Sequence, residues 1–317
     1  MTNKPEIVTV DRNAIRRVLR FCLARPGQSA AEVENHVTAF LEYARALNID
    51  VHHLFVAREK RQEKAAAACI YSPGRTAMIL LPRSDVMAIG ESTIAALVRR
   101  AKQAVFADDN RLLQSLVEEH DVATQAALRN LGFQKIALLN YLERPLVKPV
   151  PPPHPPIGIR REDLQWLSYS PESDNVFRQT VLDSYADSAD CPTLCGRRDI
   201  GDILAGHKAA GVFDPTNWRI LKCDGKRAAC VLLAKNPLRP ILEVVYMGVS
   251  PTWRRRAVGS FVIGTVLETA YRQKYQTVTL AVDSANLPGR RLYEKFGFGE
   301  TARRVALIRW NDDKTIS

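Results

Sequence analysis

Glu243-Val-Val-Tyr-Met-Gly-Val-Ser-Pro-Thr-Trp-Arg-Arg-Arg-Ala-Val-Gly259 is the stretch that decides the fold. Residues 241–249 are β-branched and aromatic, the composition of a strand. Ser250 and Pro251 end it, because proline has no N–H to give a ladder. Three arginines follow. Beyond them Val262, Ile263, Val266, Leu267 and Ala270 recur at helical spacing. The order is therefore strand, loop, helix N-terminus. The first N–H groups of a helix lack partners within it, and the dipole there is positive. Arginines beside such a corner suit phosphate. The same strand carries a carboxylate, Glu243.

Outward from this stretch, strands and helices alternate. Downstream the patterns predict a strand at 277–282, a helix at 288–296 and a strand at 303–310. Upstream they predict strands at 218–223 and 227–234 around Asp224-Gly225, a strong hairpin dipeptide. Helices at 176–185 and 198–209 and a strand at 157–160 precede them. The run Lys148-Pro-Val-Pro-Pro-Pro-His-Pro-Pro-Ile-Gly158 comes before these. Prolines at this density predict an extended spacer of about 3.1 Å per residue. The alternative is a recognition peptide for a proline-binding module. As a connector, it divides the chain into 1–147, a linker 148–158, and 159–317.

The first part predicts helices at 14–23, 31–47, 91–106 and 122–131. Strands fall at 51–57, 66–71, 76–81, 111–117 and 135–142. The two parts superpose at an offset of 165 residues: Leu131-Gly-Phe133 falls on Phe296-Gly-Phe298, and Asp121 on Asn286. A repeat this long is a duplicated domain rather than a solenoid. The fold class expected is α/β (α+β): two tandem units, each a mixed, mostly antiparallel central sheet flanked by helices.

Composition narrows the function. The 317 residues carry 45 Lys+Arg against 34 Asp+Glu, a net charge of +11. The surplus is spread over both halves, +4 for 1–147 and +7 for 148–317. A spread surplus favours anionic ligands. It gives no basic stripe interleaved with aromatics, so nucleic acid is not the expected partner. No apolar run reaches membrane-span length, so no membrane partner is expected either. No basic segment leads into an apolar one near Met1, and the six cysteines are scattered, so a cytoplasmic protein is expected.

The second half resembles the GNAT superfamily of acyl-CoA-dependent N-acyltransferases. Val249-Ser-Pro251 closes the strand, and Arg254-Arg-Arg-Ala-Val-Gly259 stands where the family has its R/Q-x-x-G-x-G/A pyrophosphate loop. Asn286 precedes a short helix, and Tyr293-Glu-Lys-Phe-Gly-Phe298 matches the ending L-Y-x-x-x-G-F. The resemblance spans about 159–310. In order, and on the elements expected, these pieces make a specific signal. One departure stands at Ala257, the loop's first glycine position. Alanine is a good helix former, so helical backbone is expected there. Its Cβ crowds an approaching pyrophosphate.

The resemblance implies transfer from acetyl-CoA, or another short acyl-CoA, directly to a primary amine. An alkyl amine is mostly protonated at neutral pH, so a base is needed. The resemblance gives that role to Glu243 and the thiolate's proton to Tyr293. It implies cofactor binding by Met247, Val249, Arg254, Arg255, Arg256, Ala257, Val258, Gly259, Ser260 and Asn286, with an oxyanion donor near Val249. Each residue also has a plain reading. The arginines are a solvated run, Asn286 a helix cap, and Tyr293 a packed ring. Asp183, Tyr185, Asp187 and Asp190 are candidates for a cationic acceptor, a small amine or a peptide. Cys191 and Cys195 with His207 have loose spacing and no fourth ligand, so no metal is expected.

At the 165-residue offset Glu243 meets Met78, Tyr293 meets Leu128, and an acidic Gly90-Glu-Ser-Thr93 replaces the arginines. The first half is thus expected to keep the framework without the chemistry. Three rival functions remain: a protein or peptide N-acetyltransferase, a non-catalytic acyl-CoA-binding module, and a nucleic-acid binder, which rests only on the +11 charge.

Overall fold

The computed structural model describes residues 5–86, 89–194 and 196–311. In chain order it holds β1 (Glu6–Val10), α1 (Ile15–Leu23), α2 (Ala30–Ala46), β2 (Asp50–Glu59), β3 (Gln62–Ser72), β4 (Thr76–Leu80), α3 (Glu91–Ala107), β5 (Leu112–Glu118), α4 (Val122–Asn130) and β6 (Gln134–Pro145). Then come β7 (Leu164–Ser168), α5 (Asp174–Tyr185), α6 (Ile200–Lys208), β8 (Trp218–Cys223), β9 (Lys226–Lys235), β10 (Ile241–Val249), α7 (Val258–Arg272), β11 (Thr277–Asp283), α8 (Leu287–Lys295) and β12 (Gly299–Trp310). The mixed, mostly antiparallel α/β class is as the sequence predicts. Among the described residues no helix is long and apolar enough to cross a membrane.

The repeat is closer than the motifs suggest. Adding 165 to the bounds of β5, α4 and β6 gives those of β11, α8 and β12. The caps repeat too. Asp121 and Asn286 share φ −78° with ψ 69° and 71°, and each side chain accepts a backbone N–H three residues on.

The chain forms two compact units whose bounds do not follow the proline run. One takes residues up to Ala137 together with those from Arg304; the other is Leu138–Arg303. In the first, the strand order is β1-β2-β3-β4-β5, completed by the end of β12. There Arg304 pairs with Glu118, and Trp310 with Leu112. In the second, the order runs β6-β11-β10-β9-β8-β7, with Leu139 paired to Asp283 and Pro145 to Thr277. Each unit thus takes its closing strand from the other half of the sequence.

In the first unit, β3 reads Ala65-Ala-Ala-Ala68, wholly buried. Helices pack close to this strand, and small side chains leave room for them. α1 lays Val18 and Leu19 over Leu54, Val56, Ala66 and Ala68. In the second unit both faces of β9 and β10 are covered. Leu233, Leu242 and Val244 pack with Val258, Phe261, Val262 and Ile263 of α7. Cys230 and Leu232 face Phe177, Val181, Leu204 and Trp218. Each fully buried side chain of this kind stabilises by about 1.5–3 kcal/mol.

Two expectations are corrected. Residues 157–160 are a turn, not a strand, because Gly158 adopts φ 76° and the Ile159 N–H donates to Pro156 O at 3.1 Å. The first strand after the prolines is β7. The proline run is no free spacer either. Pro153 lies so close to Gly264 of α7 that an added Cβ would meet it at 2.8 Å, and Arg161 donates to Pro153 O at 2.8 Å.

Candidate active site

β10 and β11 run parallel and pair only from Ile241/Thr277 to Val244/Leu280. Beyond Val244 they diverge, while β10 stays paired to β9 as far as Val249/Ala229. The register on that side slips between Val244 and Tyr246, which makes Val245 a bulge. Bulges bend a strand and re-aim its side chains. One edge of β10 therefore loses its partner, and its peptide groups face open space. A cavity of about 700 Å³ fills the gap. Val244 to Val249 line one side, Leu280 to Val282 the other, and the start of α7 with Asn286, Leu292 and Tyr293 completes it.

The loop entering α7 is more strained than the sequence suggests. Ala257 is not helical: it is left-handed, φ 60° and ψ 12°, and it makes no side-chain cap. The chain must reverse there to start the helix, and that conformation is the one glycine adopts freely. Arg255 is left-handed as well, φ 58°. The α7 N-terminus faces the cavity through Val258, Gly259 and Ser260. A Cβ on Gly259 would lie 3.2 Å from Leu292 Cδ2, so the glycine lets α7 and α8 approach closely.

The three arginines do three different things. Arg254 donates to Val249 O at 3.1 Å, Asp187 O at 3.0 Å, Ser184 O at 3.2 Å and Ala186 O at 2.6 Å. It clamps the end of α5 to the end of β10. Arg256 lies over the Trp253 ring, 5.3 Å from its centre, and does not line the cavity. Arg254 and Arg255 both line the cavity; Arg255 is the exposed one, as a phosphate ligand needs to be.

Tyr293 lies on the cavity wall, 8% exposed, with its ring against Phe298. Burial, with the charge of Asp190 added, holds its hydroxyl above the usual phenol value, so it stays protonated. Glu243 is half-buried and not part of the lining; it sits one residue before it. Leu242 and Val244 point into the α7 core, so Glu243 points to the opposite face. Beyond the bulge Tyr246 returns to that face, bonded to Ser184 at 2.8 Å and stacked on His207. Burial raises the Glu243 carboxyl above the ordinary range, with no ion pair among the described residues to lower it. Met247, Val249 and Asn286 all reach the cavity.

Residues 182–298 match the model of the acetyltransferase (GNAT) family. The chain carries a GNAT domain. Among solved structures, a GCN5-related N-acetyltransferase from Sphaerobacter thermophilus is similar at 16% identity and a TM-score of 0.64, covering 98% of this chain and 96% of its own. A tandem GNAT protein from the clavulanic acid biosynthesis pathway is similar at 16% identity and 0.56, covering 96% and 98%. A putative acetyltransferase from Pyrococcus horikoshii follows at 11% and 0.52, covering 98% and 91%. The fold is thus that of tandem GNAT proteins. No curated protein matches the sequence.

The acceptor-side expectations for the GNAT domain separate. Asp183 is engaged by Arg227 and Gln179, both at 2.9 Å, and stays outside the cavity. Tyr185 packs edge-on to Tyr246 instead of lining it. Asp187 does line it, exposed and left-handed. So does Asp190, which accepts the Asp283 N–H at 2.8 Å; burial lifts its carboxyl above the usual range. Cys195 falls outside the described residues. His207 is half-buried, its Nε2 enclosed and unpartnered among the described residues, and desolvation lowers it to about 4. Sequence reasoning missed Gly248, where a Cβ would fall 2.3 Å from Ser184 Oγ. A small residue between an aromatic and a strand break was the only available signal.

In the first unit β4 and β5 likewise pair only from Thr76/Leu112 to Met78/Gln114, leaving about 320 Å³. Charged side chains of its lining pair with one another. Arg83 donates to Glu118 at 2.8 Å and to Asp85 at 2.7 Å, and Arg304 also bonds Glu118. Met78 lines this cavity.

Proposed function

We propose that the protein is an N-acetyltransferase whose Leu138–Arg303 unit moves an acetyl group, or another short acyl group, from acyl-CoA directly to a primary amine. One observation carries this reading: the gap between parallel β10 and β11 ends at the unpartnered N–H groups of α7. Those groups, with Arg255, suit a pyrophosphate. The unpaired edge of β10 offers peptide groups to an extended acyl arm, and a backbone N–H near Val249 suits the oxyanion. In the reaction the amine nitrogen bonds the acyl carbon and the C–S bond breaks. The amine proton passes to Glu243, directly or through a water, and Tyr293 protonates the departing sulfur. A raised carboxyl pKa brings Glu243 closer to that of an amine and makes it a better base. The first unit lacks these groups and acts as support.

The test is a screen of amines, aminoglycosides, amino acids and peptides, following thiol release from acetyl-CoA. With an accepted amine, Glu243→Gln should lower kcat by about 10²–10⁴-fold and remove the acid limb of the pH–rate profile. An unchanged profile rejects Glu243 as base. The position of Glu243 outside the lining favours one second reading, a non-catalytic acyl-CoA-binding module. That reading predicts saturable CoA binding without thiol release for any acceptor. A peptide substrate would point to the protein-modifying variant of the same chemistry. A cytoplasmic setting fits either.

A further inference from the structure

The first unit contains a polar cluster that acyl transfer does not use. His52 and His53 are consecutive on β2, so a regular strand would send their rings to opposite faces. The ladder to β3 slips here: Val51 pairs with Ile70 and His53 with Cys69, leaving His52 as an extra residue. The bulge turns both rings to one side, their centres 4.7 Å apart. Asp108, just past the end of α3, meets them. Its Oδ2 lies 2.8 Å from His53 Nε2 and 3.6 Å from His52 Nε2. The three side chains each offer a ligand atom within 4.8 Å of the others.

We propose that His52, His53 and Asp108 bind a divalent first-row transition metal, zinc foremost. Two imidazoles and a carboxylate are a donor set that zinc accepts, with water in the fourth position. Ligands at about 2.0–2.1 Å from a tetrahedral ion lie roughly 3.3 Å apart. The two distances to Asp108 Oδ2 straddle that value, so small side-chain rotations admit the ion. The proton shared by His53 and Asp108 leaves as it enters. The supporting groups are already in place. His52 Nδ1 bonds Asp50 Oδ2 at 2.9 Å, which turns Nε2 toward Asp108 as an acceptor. Asp50 is itself held by Arg12 at 2.8 Å. The Tyr71 hydroxyl donates to Asp108 Oδ2 at 2.8 Å and its ring stacks on His52 at 4.5 Å. Carboxylate partners of this kind fix the tautomer and orientation of a metal-bound imidazole. The side chains of His52, His53 and Asp108 are 41%, 23% and 37% exposed, so an ion enters directly from solvent. Bound there, it ties the end of α3 to β2.

The experiment titrates metal-stripped full-length protein with Co²⁺, then displaces it with Zn²⁺. The expected result is one equivalent of Co²⁺ with weak visible bands and no sulfur charge-transfer band. His52→Ala and His53→Ala should abolish those bands. Asp50→Asn, which removes only the supporting carboxylate, should weaken binding about 10–100-fold with an unchanged circular dichroism spectrum. Zn²⁺ should also raise the unfolding temperature of the parent protein and not of His53→Ala. Absence of saturable binding, retention of the bands in both histidine variants, or a thiolate charge-transfer band would each overturn the proposal.

Discussion

Replacing Ala257 with glycine should make the protein more stable. Ala257 holds φ 60° at the entry to α7, where an L-residue carries a penalty of about 1–2 kcal/mol. Glycine has no such penalty, but it loses more backbone freedom on folding, about 0.5–1 kcal/mol. The alanine Cβ is exposed and contributes little burial to set against this. The balance leaves roughly 0.5–1 kcal/mol of stabilisation. Denaturant unfolding followed by tryptophan fluorescence reads it, as Trp253 lies in the same loop and is buried. The midpoint should rise with an unchanged slope. Ala257→Val should move it the other way, because a β-branched residue tolerates this conformation less well. Calorimetry supplies a second readout. Ala257 lines the cavity, so its removal should tighten CoA binding several-fold. A lower midpoint for Ala257→Gly would refute the strain argument, since it would mean that the loop in solution is not left-handed there.

Arg254→Ala should act mainly on stability. It removes four hydrogen bonds from a charged donor to backbone carbonyls, and a loss of about 2 kcal/mol in a urea melt is expected. Arg255→Ala, in contrast, should weaken CoA binding and leave the melt within about 0.5 kcal/mol of the parent. Tyr293→Phe should lower kcat with little change in CoA affinity, since only the hydroxyl is lost; an equal rise in KM would argue against its role as acid. Gly248→Ala should destabilise by about 1–3 kcal/mol, because the new Cβ has no room beside Ser184.

The framework was legible because it rests on local pattern. The strand at 241–249, the break at Pro251 and the period of α7 are all written in consecutive residues. The repeat was legible for the same reason, and the structure extends it to whole elements. What was not legible depends on contacts distant in sequence. Arg254 lines the cavity, but its clamping role was hidden, since only the fold brings Ser184, Ala186 and Asp187 to its guanidinium. Asp183 looked like an acceptor ligand until Arg227 came beside it. Ala257 was expected to be helical from propensity, a weak prior that the geometry of the turn overrides. The turn at 157–160 failed in a similar way, since Gly158 at φ 76° outweighs its apolar neighbours. The bulge at His52 could not be foreseen at all, because a register slip belongs to a pair of strands.

The crossed closing strands also set a schedule. The Leu138–Arg303 unit is contiguous and has all its strands once residue 303 is made. The first unit is not. Its residues up to Ala137 are synthesised early, yet β5 keeps an open edge until Arg304–Trp310 arrives. An unpaired edge is a template for the wrong partner. The half without the predicted chemistry therefore waits for the half with it, and is the last part of the described chain to close. For the same reason a cut at the proline run yields no intact unit: a fragment of 148–317 would lack β6 and leave β11 exposed.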